Sequence, residues 1–102
     1  MRSASFLQRE VLMDKHRFHY IFSGDVQEVG FRSTACRLAR ELFITGWVRN
    51  CYDGTVEMEA QGFTRDIDAM ITGLREQLFI MVENIECEEV STVQGEDGFH
   101  IR

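Results

Sequence analysis

The chain lacks several features that would assign it to common classes of protein. It has no apolar run near the ~18 residues that a membrane-spanning helix needs, so we expect no membrane segment. Basic residues are outnumbered by acidic ones, 11 against 17, and the net charge of −6 disfavours binding to nucleic acid. With 102 residues and 44% hydrophobic side chains, the chain is large enough for one domain with a single core.

Cysteine is scarce and its spacing is not that of a metal site. Cys36, Cys51 and Cys87 form no C-x-x-C pair, and no histidine lies at a ligand-like distance from them in the sequence. The segment from Met1 to Asp14 has no continuous apolar region of the kind that a secretory signal contains. We therefore expect three free thiols in a cytoplasmic protein, with neither a metal ion nor another cofactor.

Hydrophobic periodicity predicts four main strands and two helices. The first helix begins at Phe31 and should stop near residues 43–46, with Gly46 as its expected break, while Thr64 can cap the second, whose apolar stripe runs to Leu78. Gly73 interrupts that stripe and indicates close packing. Asp53-Gly54 predicts a hairpin between the second and third strands. The predicted strands cover residues 17–23, 47–51, 55–61 and 83–92, with a short edge strand over 99–102.

This order of elements predicts an α+β fold of the ferredoxin-like β-α-β-β-α-β type. Right-handed crossovers place both helices on one face of an antiparallel sheet, with a single core between them. In this topology strands one and two can lie near each other. Residues 1–15 match none of the predicted strands and helices, and we interpret them as a poorly ordered tail with a turn of helix over 6–11. Residues 16–102 form the predicted domain.

The segment Gly24-Asp25-Val26-Gln27-Glu28-Val29-Gly30-Phe31-Arg32 connects the first strand to the first helix. Such a loop can direct several backbone N–H groups at one phosphate-sized anion, and Arg32 can hold the same anion with two hydrogen bonds. The spacing excludes a Walker loop and the dinucleotide fingerprint. The alternative interpretation is an ordinary turn before a helix, with a solvated arginine.

Asn50 is predicted near the end of the second strand, where its amide can both donate and accept hydrogen bonds. A side chain of this kind can hold a water molecule beside a bound anion. Attack on phosphorus requires such a water, together with a positive group that stabilises the negative charge on the phosphoryl oxygens. The alternative is that Asn50 only helps to form the turn that follows it.

The pair of motifs G-x-V-Q-x-V-G-F-R and G-W-V-R-N-x-x-D-G-T-V-E, in which the asparagine follows the arginine of the first motif by eighteen residues, resembles acylphosphatase. The likeness runs from about Tyr20 to Arg102. It implies an enzyme that hydrolyses a small acyl phosphate to a carboxylate and phosphate without a metal or a covalent intermediate, and we expect a monomer. Arg32 then matches the phosphate-binding catalytic arginine, Asn50 matches the residue that orients water, and the main chain of the loop forms the cradle. The loop residues concerned are Val26, Gln27, Glu28, Val29, Gly30 and Phe31.

Glu28 departs from the family, which has glycine at this position. If the loop needs a positive φ there, a side chain costs about 1–2 kcal/mol of strain. Its carboxylate would also repel a bound anion by about 1 kcal/mol at roughly 7 Å and an effective dielectric of about 40. The alternatives are that Glu28 points into water, or that the chain is a degenerate relative that binds an anion or a protein partner with little turnover.

Overall fold

The computed structural model describes residues 14–77 and 82–102, which contain five strands and two helices. In chain order these are β1 (Lys15–Gly24), α1 (Phe31–Glu41), β2 (Thr45–Asn50), β3 (Val56–Phe63), α2 (Thr64–Gln77), β4 (Val82–Val90) and β5 (Phe99–Ile101). The predicted order of elements is confirmed, and β1 begins one residue before the predicted domain boundary. The predicted helical turn over 6–11 and the end of the second apolar stripe at 78 lie outside the described residues.

The strands form one sheet in the order β4-β1-β3-β2-β5. The pairs β1–β3, β1–β4 and β2–β3 are antiparallel, as predicted. β5 lies parallel to β2, so the sheet is mixed. An edge strand of three residues carries no sequence signal for its direction, which explains the difference. β3 separates β1 from β2. The two helices cover one face of the sheet, and the fold is the predicted ferredoxin-like α+β sandwich.

The core lies between the helices and the covered face of the sheet. Alternate residues of each central strand point into it, as the period of two requires, including Phe22 of β1, Val48 of β2 and Met58 of β3. α1 and α2 add their apolar stripes, with Phe31 and Met70 among the fully buried side chains. Met58, Met70 and the aromatic residues of β1 are thus core residues, as predicted.

Strand directions bring two distant segments to the same edge of the sheet. β1 and β2 are each antiparallel to β3, so they run in the same direction and end at the same edge. Val56 of β3 pairs with Phe22 of β1 on one side and with Asn50 of β2 on the other. Asn50 therefore lies level with the last residues of β1, beside the loop that follows it.

The first helix ends two residues before the predicted range of 43–46, and Gly46 does not break it. It ends at Glu41, and Phe43 follows in a left-handed conformation with φ of 57°. The Ile44 N–H then donates to the Ala39 carbonyl at 2.8 Å, which closes a Schellman motif without glycine. Gly46 instead lies inside β2, where an added Cβ would meet the Glu59 carbonyl oxygen at 1.9 Å. Gly46 is required by the close approach of β3.

The second helix confirms the prediction of close packing at Gly73. A Cβ added there would lie 3.1 Å from a Leu38 methyl group of α1, so the missing side chain lets the two helices approach each other. Thr64 is itself the first residue of α2, one position later in the helix than a cap. In the described part of the chain, no helix is long and apolar enough to cross a bilayer.

Candidate active site

The loop between β1 and α1 is anchored by a hydrophobic side chain. Val26 is fully buried and belongs to the core cluster, although both of its neighbours, Asp25 and Gln27, remain accessible. Val29 also packs against the core. Two apolar contacts three residues apart hold the loop down, so its main chain has a fixed position at the edge of the sheet.

The backbone of this loop turns back on itself through two left-handed residues. Glu28 has φ of 63° and Gly30 has φ of 81°. Left-handed residues within a turn are typical of concave main-chain segments in which successive N–H groups face an anion. Gly30 is the N-cap of α1, and its carbonyl accepts the first helical hydrogen bond from the Thr34 N–H at 2.9 Å. The condition set for Glu28 by the sequence, a positive φ, is met.

Arg32 lies in the first turn of α1, where the N-terminal end of the helix carries partial positive charge. Its side chain is half-buried. It forms no ion pair and no hydrogen bond with any residue of 14–77 or 82–102. The first turn of α1 also contains no acidic residue. The Arg32 guanidinium is therefore available to an external anion.

Asn50 is the last residue of β2. Its side-chain oxygen Oδ1 is buried and accepts no hydrogen bond from the described residues. An orphaned buried acceptor costs free energy, and in native proteins it usually marks a place where a water molecule or a ligand binds. Asn50 thus offers an acceptor to a water molecule.

One cavity of about 200 Å³ brings these groups together. Its charged and polar lining residues are Glu28, Arg32, Ser33 and Asn50, with Val26, Gly30, Phe31 and Ile101 completing the wall. The structure thus assembles most of the residues singled out in the sequence. Ser33 and Ile101 were not predicted; Ile101 reaches the cavity because β5 pairs with β2, a contact that the sequence alone does not reveal.

The Gln27 side chain binds the turn between β2 and β3 and does not line the cavity, although Gln27 lies in the loop. Its side-chain amide nitrogen donates to the carbonyl of Cys51 at 2.7 Å and to the carbonyl of Thr55 at 2.9 Å. These two residues begin and close the β2–β3 turn, where the Cys51 N–H also donates to the Thr55 carbonyl. Gln27 therefore ties the loop to the residue next to Asn50. The sequence contains no signal for this link, because it joins segments 24 and 28 residues apart.

The cysteines are free thiols, as predicted: Cys36 is buried, Cys51 is half-buried and Cys87 is exposed. Burial raises the pKa of the Cys36 thiol, so this group is a core residue and not a nucleophile. None of the three lines the cavity.

Comparison with known proteins agrees with this geometry. The family model described as Acylphosphatase matches residues 18–101. The chain belongs to the acylphosphatase family. The acylphosphatase of Methanospirillum hungatei is 42% identical over 88 residues, which is 84% of this chain and 96% of that protein. The acylphosphatase of Bifidobacterium longum is 48% identical over 58 residues, covering 57% of this chain and 60% of that one.

A solved acylphosphatase structure matches the fold as well. The crystal structure of acylphosphatase from Bacillus subtilis superimposes with a TM-score of 0.78 at 30% identity, covering 85% of this chain and 98% of that chain. The part of the chain that the family model matches begins inside β1 and ends with β5. It therefore includes the loop, Arg32 and Asn50.

Proposed function

We propose that the protein hydrolyses the carboxyl–phosphate bond of small acyl phosphates to a carboxylate and inorganic phosphate. One observation carries this proposal: Arg32 and Asn50 line the same small cavity beside the loop, and neither the Arg32 guanidinium nor the Asn50 oxygen has a partner among residues 14–77 and 82–102. Membership of the acylphosphatase family supports the same reaction. A cavity of about 200 Å³ has room for a phosphoryl group and a water molecule.

In this proposal the loop and the arginine bind the phosphoryl group. Main-chain N–H groups of residues 26–31 donate to its oxygens, and Arg32 donates two further hydrogen bonds. The N-terminal end of α1 adds its dipole. Because these donors are fixed before the substrate arrives, they stabilise the charge of the transition state without reorganisation.

Asn50 holds the attacking water. Its Oδ1 accepts a hydrogen bond from the water, which leaves a lone pair of the water oxygen to attack phosphorus in line with the leaving group. A new P–O bond forms as the bond from phosphorus to the acyl oxygen breaks, and the carboxylate leaves with the bonding electrons. The water's proton passes to a phosphoryl oxygen of the substrate. This scheme draws its charge stabilisation from Arg32 and the N–H groups, so no step requires a metal ion or a covalent intermediate.

Turnover of benzoyl phosphate and acetyl phosphate by the purified protein tests the proposal. Loss of one fixed oxyanion donor costs about 100- to 1,000-fold in kcat, so we expect a loss of this size for Arg32→Ala. We expect a loss for Asn50→Ala as well. Arg40→Ala removes an exposed arginine from the last turn of α1 and serves as the matched control, with unchanged activity. If wild type hydrolysed these substrates no faster than Arg32→Ala, the proposed activity would be excluded.

Glu28 motivates a second candidate function. Its positive φ and its place in the wall of the cavity are the features expected of a degenerate family member that binds an anion or a protein with little turnover. In that case Glu28→Gly should raise kcat/KM by orders of magnitude. A change of less than threefold would remove the support for this alternative.

We further propose that the protein acts as a cytoplasmic monomer on small acyl phosphates and does not bind nucleic acid. Three free thiols support a reducing compartment, and the net charge of −6 opposes attraction to a phosphate backbone. Size-exclusion chromatography with light scattering tests the oligomeric state; an elution at the mass of a dimer would contradict it.

A further inference from the structure

The cavity contains one charged group that the proposed reaction does not use. Glu28 and Arg32 are its charged lining residues, and the proposed function assigns Arg32 to the phosphoryl group. The Glu28 side chain is exposed and has no ion pair or hydrogen bond with a described residue. Beyond the phosphoryl group, the cavity therefore presents one uncompensated negative charge.

Two other arginines lie close to the cavity, but neither forms an ion pair with Glu28. Arg49 and Arg102 line a neighbouring groove that shares Asn50 with the cavity. Arg49 donates to the Glu57 carboxylate at 2.6 Å, and the Arg102 guanidinium lies 4.4 Å from the centre of the Trp47 ring. The first of these cations is paired with a carboxylate and the second is stacked on an indole.

The geometry of attack also directs the acyl group away from this groove. In-line displacement places the leaving oxygen opposite the attacking water. If Asn50 holds the water, the acyl group leaves on the side away from Asn50, and hence away from Arg49 and Arg102. Glu28 lines the cavity and not the groove, so a negative charge on the acyl group would share the cavity with Glu28 and not with Arg49 or Arg102.

We propose, on the basis of the function proposed above, that Glu28 selects substrates by the charge of their acyl group. The site takes acyl phosphates with a neutral or cationic acyl group and discriminates against those that carry a second carboxylate. For unit charges roughly 7 Å apart at an effective dielectric of about 40, Coulomb repulsion amounts to a five- to tenfold effect. Glu28 is thus a specificity-determining residue.

Three aroyl phosphates that differ only in the para substituent test this selection: benzoyl phosphate, 4-carboxybenzoyl phosphate and 4-(aminomethyl)benzoyl phosphate. The measured quantity is the ratio of kcat/KM between two substrates, compared between wild type and Glu28→Gln. This variant removes the charge and keeps a side chain of the same length at the same φ. Because each substrate is compared with itself across the two proteins, differences in intrinsic reactivity cancel.

We expect the preference for benzoyl over 4-carboxybenzoyl phosphate to be about five- to tenfold larger in wild type than in Glu28→Gln. The preference for benzoyl over 4-(aminomethyl)benzoyl phosphate should be smaller in wild type than in Glu28→Gln. Added salt at about 0.5 M should reduce the wild-type preference towards that of the variant, because the groups are exposed to solvent. Equal ratios in the two proteins would overturn the proposal.

A binding measurement separates this inference from the proposed function. Benzylphosphonate and its 4-carboxy analogue cannot be hydrolysed, and calorimetry gives their dissociation constants for wild type and Glu28→Gln. We expect the 4-carboxy substituent to weaken binding more in wild type than in Glu28→Gln, even if neither protein turns over a substrate. An equal effect of the substituent in the two proteins would overturn the inference. The matched control is Glu88→Gln, which removes an exposed carboxylate from β4 and should leave every ratio unchanged. Failure of turnover alone would exclude the proposed function.

Discussion

Arg17 and Arg32 are the same residue type at opposite ends of the sheet, and their surroundings are opposite. Arg17 is 2% exposed and has every side of its guanidinium paired: Nε donates to Glu59 at 2.6 Å, and the terminal nitrogens donate to Gln61 at 3.1 Å and to Glu96 at 2.7 and 3.1 Å. Arg32 has no such partner in the described ranges. A buried cation with matched acceptors holds a fold together, whereas a fixed cation without them is available to a ligand.

The same contrast separates the two ends of the sheet in general. Around Arg17, the Gln61 side chain donates to and accepts from the main chain of Val93, so the segment between β4 and β5 is attached to the sheet at several points. Around Arg32, the Asn50 oxygen is unpaired and the backbone of Glu28 is strained. The end of the sheet that we propose to be functional thus has a buried acceptor without a partner among the described residues, and a left-handed non-glycine residue in its loop.

Replacing Arg17 should produce the largest effect on stability. Arg17→Met leaves two partly buried carboxylates, Glu59 and Glu96, without their cation, and loss of one partner from a buried ion pair costs about 3–5 kcal/mol. We expect the free energy of unfolding, measured with urea, to fall by this amount while the folded fraction keeps its activity. Arg32→Ala should instead lose activity and keep the wild-type free energy of unfolding.

The control for Arg17 is Arg37→Met, which breaks a half-exposed pair with Glu41 on α1 and an exposed hydrogen bond to the Gln77 side chain of α2. Such surface pairs contribute about 0.3–0.5 kcal/mol. If both variants lost the same stability, the contrast between buried and exposed arginines would be wrong.

Gln27 provides the next largest effect, this time on catalysis. Gln27→Glu keeps the length of the side chain but replaces the donor to Cys51 and Thr55 with a carboxylate, which repels their carbonyls. A misplacement of about 1 Å can cost up to about 100-fold in rate, so we expect kcat to fall about 10- to 100-fold. The inhibition constant for inorganic phosphate should change less, because Arg32 is untouched.

The pH dependence identifies Gln27 as a positioning residue. A protonated carboxyl can donate to a carbonyl, so the activity of Gln27→Glu relative to wild type should rise as pH falls through the pKa of the new side chain. A ratio that does not vary with pH would indicate a purely structural loss.

The sequence predicts each element of the fold because its signals are local. Alternation in β1, the stripe of α1 and Asp53-Gly54 each depend on neighbours within a few residues. The direction of β5 and the link from Gln27 to the turn depend on contacts between distant segments, so no local pattern reveals them. The break of α1 is not at Gly46, because Phe43 adopts the left-handed conformation that usually favours glycine and ends the helix earlier.

Two substitutions to glycine separate strain inside the cavity from strain outside it. Glu28 and Phe43 both have positive φ, 63° and 57°, and the Phe43 side chain is 89% exposed, so little packing is lost with it. Relief of a left-handed non-glycine residue stabilises by about 1–2 kcal/mol, and we expect both variants to gain stability of that order. Glu28→Gly alone should also raise kcat/KM, by about fivefold, because it removes a repulsive charge. Equal activity gains in both variants would show that the cavity does not sense the charge of Glu28.

The pH dependence of stability offers the smallest of these effects and tests the Arg17 end of the sheet. Burial raises the pKa of Glu96, but hydrogen bonds from Arg17 and Thr45 and the charge of Arg17 outweigh it, so the pKa lies below its ordinary value. A carboxylate with a lowered folded-state pKa stabilises the protein above the unfolded pKa of about 4.3, and this contribution disappears as pH falls through the folded pKa. Between about pH 5 and 3 the unfolding free energy should therefore fall less steeply in Glu96→Gln than in wild type. The exposed Glu88→Gln should retain the wild-type slope; if it flattened the curve equally, the acid sensitivity would come from net charge and not from the Arg17 cluster.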